Sequence, residues 1–222
     1  MSRRILAEYR QTFILRIMAT AVLLFIAFLC SESSIVVLIC LVLLVLFWIW
    51  GSKEKIVVYP NLLEKQSLFG TTTVPLNAKT EFFYKFVNVR IEGINTGQHT
   101  YIRVRNGYQE IKANSNIKDI DQLRERLIQL EVHNLQPQIQ KSLQEKSSLN
   151  FGILKVSSSG LAYKNSMITY TEISDSGIEN GFFYVKKQGK SGNFMRIAIS
   201  EIPNMTTFFA LFHHYMEEKL TA

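Results

Sequence analysis

Two nearly unbroken apolar runs dominate the front of the chain, Thr12 to Cys30 and Ile35 to Trp50, with only Arg16 and Glu32 charged between Thr12 and Trp50. A bilayer core of about 30 Å takes roughly 20 apolar helical residues, so each run predicts a membrane-spanning helix, with Arg16 reaching towards the headgroups from one end. The polar residues of "LCSESSIVV", Leu29 to Val37, then predict the bend of a hairpin. A cleaved export signal is the rival reading. It fits less well, because Phe28 and Leu29 stand where cleavage wants small side chains and the second run would anchor the chain regardless. Arg3, Arg4 and Arg10 before the first run, with Lys53 and Lys55 after the second, place both termini in the cytoplasm by the positive-inside rule.

After Gly51 the period changes from continuous to alternating. "KIVVYPNLLEK" predicts two strands around a Pro60-Asn61 turn, and "ILKVSSSGLAYK" predicts the same about a hundred residues later. Superposing Val58 on Val156 brings Leu63 onto Leu161, which points to an internal duplication. Further strands follow in each half. Thr100, Ile102 and Val104 alternate with Tyr101, Arg103 and Arg105 in the first, while Met195, Ile197 and Ile199 alternate with Phe194, Arg196 and Ala198 in the second. A helical stripe closes each: Ile117, Ile120, Leu123, Leu127 and Leu130, then Ile202, Met205, Phe208, Phe212 and Tyr215, at identical spacings. Between them Leu135, Ile139 and Leu143 predict a connecting helix. The chain thus divides into a hairpin over 1–51, a first module over 52–132, a connector over 133–148 and a second module over 149–222.

A strand-rich module closed by one C-terminal amphipathic helix resembles the pleckstrin-homology-like (PH-like) fold, and the membrane hairpin resembles that of bacterial PH-domain membrane proteins. "LNFGILKVSSSGLAYKNSMITYTEI" and "IAISEIPNMTTFFALF" are similar to a family of uncharacterised PH-like membrane proteins. The matching residues are Phe151, Gly152, Gly160, Leu161, Tyr170, Glu172, Ile173, Ile202, Pro203 and Asn204, and Tyr170 stands where tryptophan is common. The resemblance implies an α+β fold with an N-terminal transmembrane helical hairpin and two small PH-like barrel or sandwich modules. It also implies placement in the bacterial inner membrane, and it supplies no activity to inherit.

Composition narrows the chemistry further. The net charge of +7 is spread along the chain without a basic tract, so nucleic acid is not an expected partner. Cys30 and Cys40 both lie in apolar runs, which suits small hydrophobes better than a disulfide or metal site. No phosphate loop, dinucleotide fingerprint, nucleophile elbow or HExxH helix occurs. His213 and His214 are adjacent and point in different helical directions, and the serines Ser157 to Ser159 form a turn without a positioned base. No cofactor, metal or catalytic residue is therefore expected. The polar segment "YVKKQGKSGNFMR" offers Lys186, Lys187, Lys190 and Arg196 as candidate contacts for anionic lipid or phosphate, and Tyr101, Arg103, Arg105 and Lys112 form a second exposed face. The reading that follows is a membrane-tethered cytoplasmic binding or scaffolding protein with a protein partner. An anionic-lipid sensor, or an accessory subunit of a membrane transport or enzyme complex, is the alternative.

Overall fold

A computed structural model describes residues 4–30, 32–91 and 94–220 as an α+β chain with four antiparallel sheets. Strand β1 (Ala7–Arg10) precedes helices α1 (Phe13–Leu29) and α2 (Ser34–Lys53), after which β2 (Lys55–Tyr59), β3 (Leu62–Ser67) and β4 (Gly70–Pro75) complete a four-stranded meander with β1. Strands β5 (Glu81–Ile91), β6 (Ile94–Asn106) and β7 (Gln109–Asn114) form a second sheet, and α3 (Ile120–Glu145) follows. The series then repeats. β8 (Leu149–Phe151), β9 (Leu154–Ser157), β10 (Gly160–Tyr163) and β11 (Ser166–Ile168) make a four-stranded sheet, β12 (Ile173–Glu179), β13 (Phe182–Lys187) and β14 (Asn193–Ala198) a three-stranded one, and α4 (Met205–Leu220) ends the chain.

Strand register carries this repeat down to single residues. Val58 faces Leu63 across β2 and β3, and Val156 faces Leu161 across β9 and β10, all four in the interior. The repeat also locates the helical pair. β8 reaches β9 through Gly152 and Ile153, whereas residues 11–54 occupy the same step between β1 and β2, which pair from Ala7↔Val58 to Arg10↔Lys55. The two helices are thus an insertion between neighbouring strands of one sheet. Glu8 fastens its base, accepting from Arg10 at 2.8 Å and from Lys55 at 3.4 Å. Its strand β1 has four residues, too few for alternation to announce it in the sequence.

The expected two-pass topology is corrected here: among the described residues no helix is long and apolar enough to cross a membrane. α1 has 17 residues, about 25 Å of helix against about 30 Å of hydrocarbon. α2 has 20 but spends its last turn on Gly51, Ser52 and Lys53. The transmembrane hairpin, the integral two-span membrane association and the inner-membrane placement with both termini cytoplasmic accordingly do not stand. The pair itself is a helical hairpin, joined by Trp48 Nε1 donating to Thr20 Oγ1 at 2.9 Å. Many of its apolar side chains are exposed, Phe28 at 75% and Ile35 at 72%, while Cys40 is buried. Arg3, Ser31 of the bend and the side chains of Arg16 and Trp50 lie outside the described residues.

Each module has its own core. In the first, Ile56, Val58, Leu63, Phe82, Tyr84, Ile102 and Val104 pack under Ile120, Leu123 and Leu127 of α3. The second is aromatic: Phe208 meets Phe151 at 5.5 Å and Phe183 at 5.4 Å between ring centroids, both edge-on, the geometry that ring quadrupoles favour. The motif residues build this core. The Tyr170 hydroxyl donates to the Ser157 carbonyl at 2.7 Å while its ring stacks on Tyr215, and burial holds that hydroxyl well above the usual tyrosine range. Gly152, at φ +65°, lies so close to Pro203 that an added Cβ would sit 3.2 Å from its Cδ, bringing the "FG" and "IPN" segments together.

The cores also exchange elements. Met205 at the start of α4 packs on the first core, and Ile139 in the second half of α3 packs on the second. This explains why α3 runs unbroken from Ile120 to Glu145 through Pro137, where the sequence pattern divides it at residue 132. Proline removes one backbone donor and crowds the preceding turn. Packing of both halves, with Leu127 and Leu135 buried on either side of the division, keeps the helix whole.

Candidate functional site

The modules meet along β5, an edge strand whose outward backbone groups need partners. Asn204 supplies them at Phe82. Its backbone N–H donates to the Phe82 carbonyl at 2.8 Å, and its Oδ1 accepts from the Phe82 N–H at 3.0 Å, a double contact that its left-handed φ of +53° makes available. Asn204→Gly keeps the backbone conformation and removes the side-chain acceptor, so the chain should lose about 1–2 kcal/mol. Urea unfolding measures that loss, and faster amide exchange at Phe82 assigns it to this contact.

Glu131 of α3 makes the second link, with none of its surface exposed. Its Oε1 accepts from the Thr207 backbone N–H and from Thr207 Oγ1, both at 3.0 Å, capping the first turn of α4 with an acidic group at the positive end of the helix dipole. Its Oε2 and the neighbouring Tyr84 hydroxyl are buried without a well-formed hydrogen bond among the described residues. Burial pushes the Glu131 carboxyl up to about 7, against the opposing pull of the Thr207 donors. Tyr84 is raised well above its ordinary value, first by burial and then by the Glu131 charge.

Above this seam lies a groove. Strand alternation sends Phe82, Tyr84, Ile102, Val104, Ile111 and Ala113 into the core and leaves their neighbours on the outer face, in the rows Phe83↔Arg103↔Lys112 and Lys85↔Tyr101↔Asn114. Phe83 is nevertheless only 6% exposed. The Arg103 guanidinium lies 4.0 Å above its ring centre, and the 3-10 turn Ile199–Glu201 of the second module lies against β5. The resulting cavity of about 310 Å³ is lined by Phe83, Lys85, Tyr101, Arg103, Lys112 and Glu201, among others. A second of about 360 Å³ shares Tyr84, Lys85 and Ser200 with it and continues past Phe86 to Gly181 and Phe182.

The cations here are not equivalent. Arg105 pairs with Glu81 at 2.6 Å and Lys112 with Glu110 at 2.7 Å, whereas Arg103 and Lys85 form no ion pair among the described residues. Of the second face suggested by the sequence, the structure brings Tyr101, Arg103 and Lys112 into the groove, while Arg105 sits beside it over the Phe83 ring at 5.5 Å. The other cationic group is spread over one sheet of the second module. Lys186 pairs with Asp175 at 2.9 Å, Lys187 with Glu172 at 2.6 Å, and Arg196 lies 4.4 Å over the Phe182 ring. These ion pairs hold the Glu172 and Asp175 carboxyls below their usual range. Lys190 is exposed in the turn after β13. Among the described residues no three His, Cys, Asp or Glu side chains converge as a metal site.

The sequence reading missed Glu131 and Asn204 as the residues joining the modules. Glu131 did carry a signal: it stands four residues after Leu127 and four before Leu135, an acid in an otherwise apolar helical stripe. Residues 1–219 match a family of unknown function, DUF6585. The chain belongs to this family. The match runs from the insertion hairpin through both modules, so the family pattern extends over the interlocked arrangement as well as over either half. No curated protein and no solved structure matches the chain.

Proposed function

We propose that this chain is a non-catalytic binding and scaffolding protein, formed by two PH-like modules locked together, whose partner engages the groove at their seam. The PH-like reading draws support from the repeated order of a four-stranded meander, a three-stranded meander and one closing helix. The observation that carries the binding reading is the composition of the groove wall. Residues of both modules line it, Lys85 and Arg103 form no ion pair there among the described residues, and Tyr101 is 43% exposed. Such a place suits recognition, in which a few polar groups on a rigid, partly apolar surface orient a ligand. A partner seated there touches both modules at once and is positioned relative to each.

The test is photo-crosslinking of the full chain in its own cells, with a benzophenone side chain at Tyr101. A discrete protein adduct from this position, absent when the same group replaces Tyr108 at the fully exposed β6–β7 turn, is the expected result. Identical adducts from both positions, or none from Tyr101, overturn the assignment.

A further inference from the structure

We infer that the groove accepts an extended acidic polypeptide segment bearing an aromatic or large apolar side chain. This deepens the binding role proposed above and rests on it. Three observations point to this partner, and each removes another class of ligand.

The first is charge. Lys85, Arg103 and Lys112 line the cavity against a single acid, Glu201, and Lys112 is already shared with Glu110. The Arg103 guanidinium carbon lies 4.0 Å over the Phe83 ring centre, and a planar guanidinium can meet a carboxylate in the two-point geometry that arginine favours. Lys85 stands exposed on the neighbouring strand and adds a mobile point charge. The second observation is the apolar floor. Tyr101, 43% exposed, gives the cavity an aromatic surface that a bare phosphate or carboxylate leaves unused, with the Phe83 ring beneath Arg103.

The third is shape. The two cavities share three residues and run on from the outer face of β5 and β6 to the β12–β13 turn, so the trough is far longer than one anionic group. Its walls come from both modules, with Tyr101 and Arg103 of the first and Ser200 and Glu201 of the second. A flat lipid surface meets exposed tips, whereas a single extended chain can lie along a trough and send alternate side chains to its floor and its rim.

The probe is a fluorescent random copolymer of glutamate and tyrosine, titrated by anisotropy against the full chain. Inorganic phosphate and phosphatidylglycerol vesicles serve as parallel ligands. The copolymer should bind, weaken as salt is raised, and lose about tenfold or more in affinity with Lys85→Glu and with Arg103→Gln. Lys190→Ala should leave affinity unchanged. Lys85 is exposed, so its charge reversal reports on binding even if Arg103→Gln loosens the sheet. Copolymer binding that falls equally with Lys190→Ala shows bulk charge attraction and overturns the inference. So does vesicle or phosphate binding that is lost in the Lys85 variant while the copolymer does not bind. If Tyr101 crosslinks a partner in cells and the copolymer fails to bind, the scaffold role stands and the acidic segment falls. If both fail, both fall.

Discussion

Glu131→Gln should leave the chain about as stable as the parent at pH 5 and more stable by about 3 kcal/mol at pH 8. The carboxyl is raised from 4.5 to about 7 in the folded chain, so the native state holds this proton more tightly than the unfolded state does. The stabilisation is complete below pH 4.5, declines as pH rises, and is gone above about 7. Glutamine preserves the acceptor for Thr207 and places an amide donor towards the Tyr84 hydroxyl, without a charge to desolvate. The parent's unfolding free energy, measured with urea at several pH values, should therefore slope downward between pH 5 and pH 7.5, and the variant's should be flat. The acids whose carboxyls are lowered by ion pairs, Glu8, Glu110, Glu172 and Asp175, act in the opposite sense and only in the acid range. A parallel slope in the variant would remove Glu131 as its source.

Gly160→Ala should cost on the order of 3–5 kcal/mol, combining backbone strain with a clash that the core cannot relieve cheaply. The residue sits at φ +155°, and an added Cβ would lie 2.2 Å from the Ile168 carbonyl oxygen and 3.1 Å from Thr169 Cα. Both obstacles are backbone. They belong to the strand that pairs Ile168 with Leu161 and to the turn that delivers Tyr170 to the core. Relieving them means opening β10 from β11, with loss of packing around Val156, Leu161 and Ile168. Damage should be greatest in the second module, to whose core Val156, Leu161 and Ile168 belong. Amide exchange would show it as lost protection in β9 to β11 with β2 to β4 less affected. A variant with parental stability would mean that this turn relaxes more freely than its surroundings allow.

Much of the architecture was legible because alternation and helical stripes report which face of an element is buried. Val58, Leu63, Val156 and Leu161 announced the duplication, and Thr100 to Arg105 announced a two-faced strand whose outer side became the groove. Other features lay beyond such patterns. β1 is too short to show a period, so the hairpin looked like a leading segment although it is inserted within a sheet. Apolar length alone suggested spans that the helices do not provide. The cluster of Lys186 and Lys187 looked free because their acidic partners, Asp175 and Glu172, reach them across strands, at 11 and 15 positions along the chain. Asn204 was readable as a helix start, but its grip on Phe82 joins residues 122 positions apart. Only folding brings these groups together.

Both the locking of the modules and the position of the binding surface can be read in one amide-exchange experiment on the full chain, with and without the glutamate–tyrosine copolymer. Added protection should appear together in residues 81–85 and 101–105 of the first module and in residues 199–201 of the second, and Lys85→Glu should remove it from all three. Protection limited to one module, or centred on the turn around Lys190, would contradict a groove built by both.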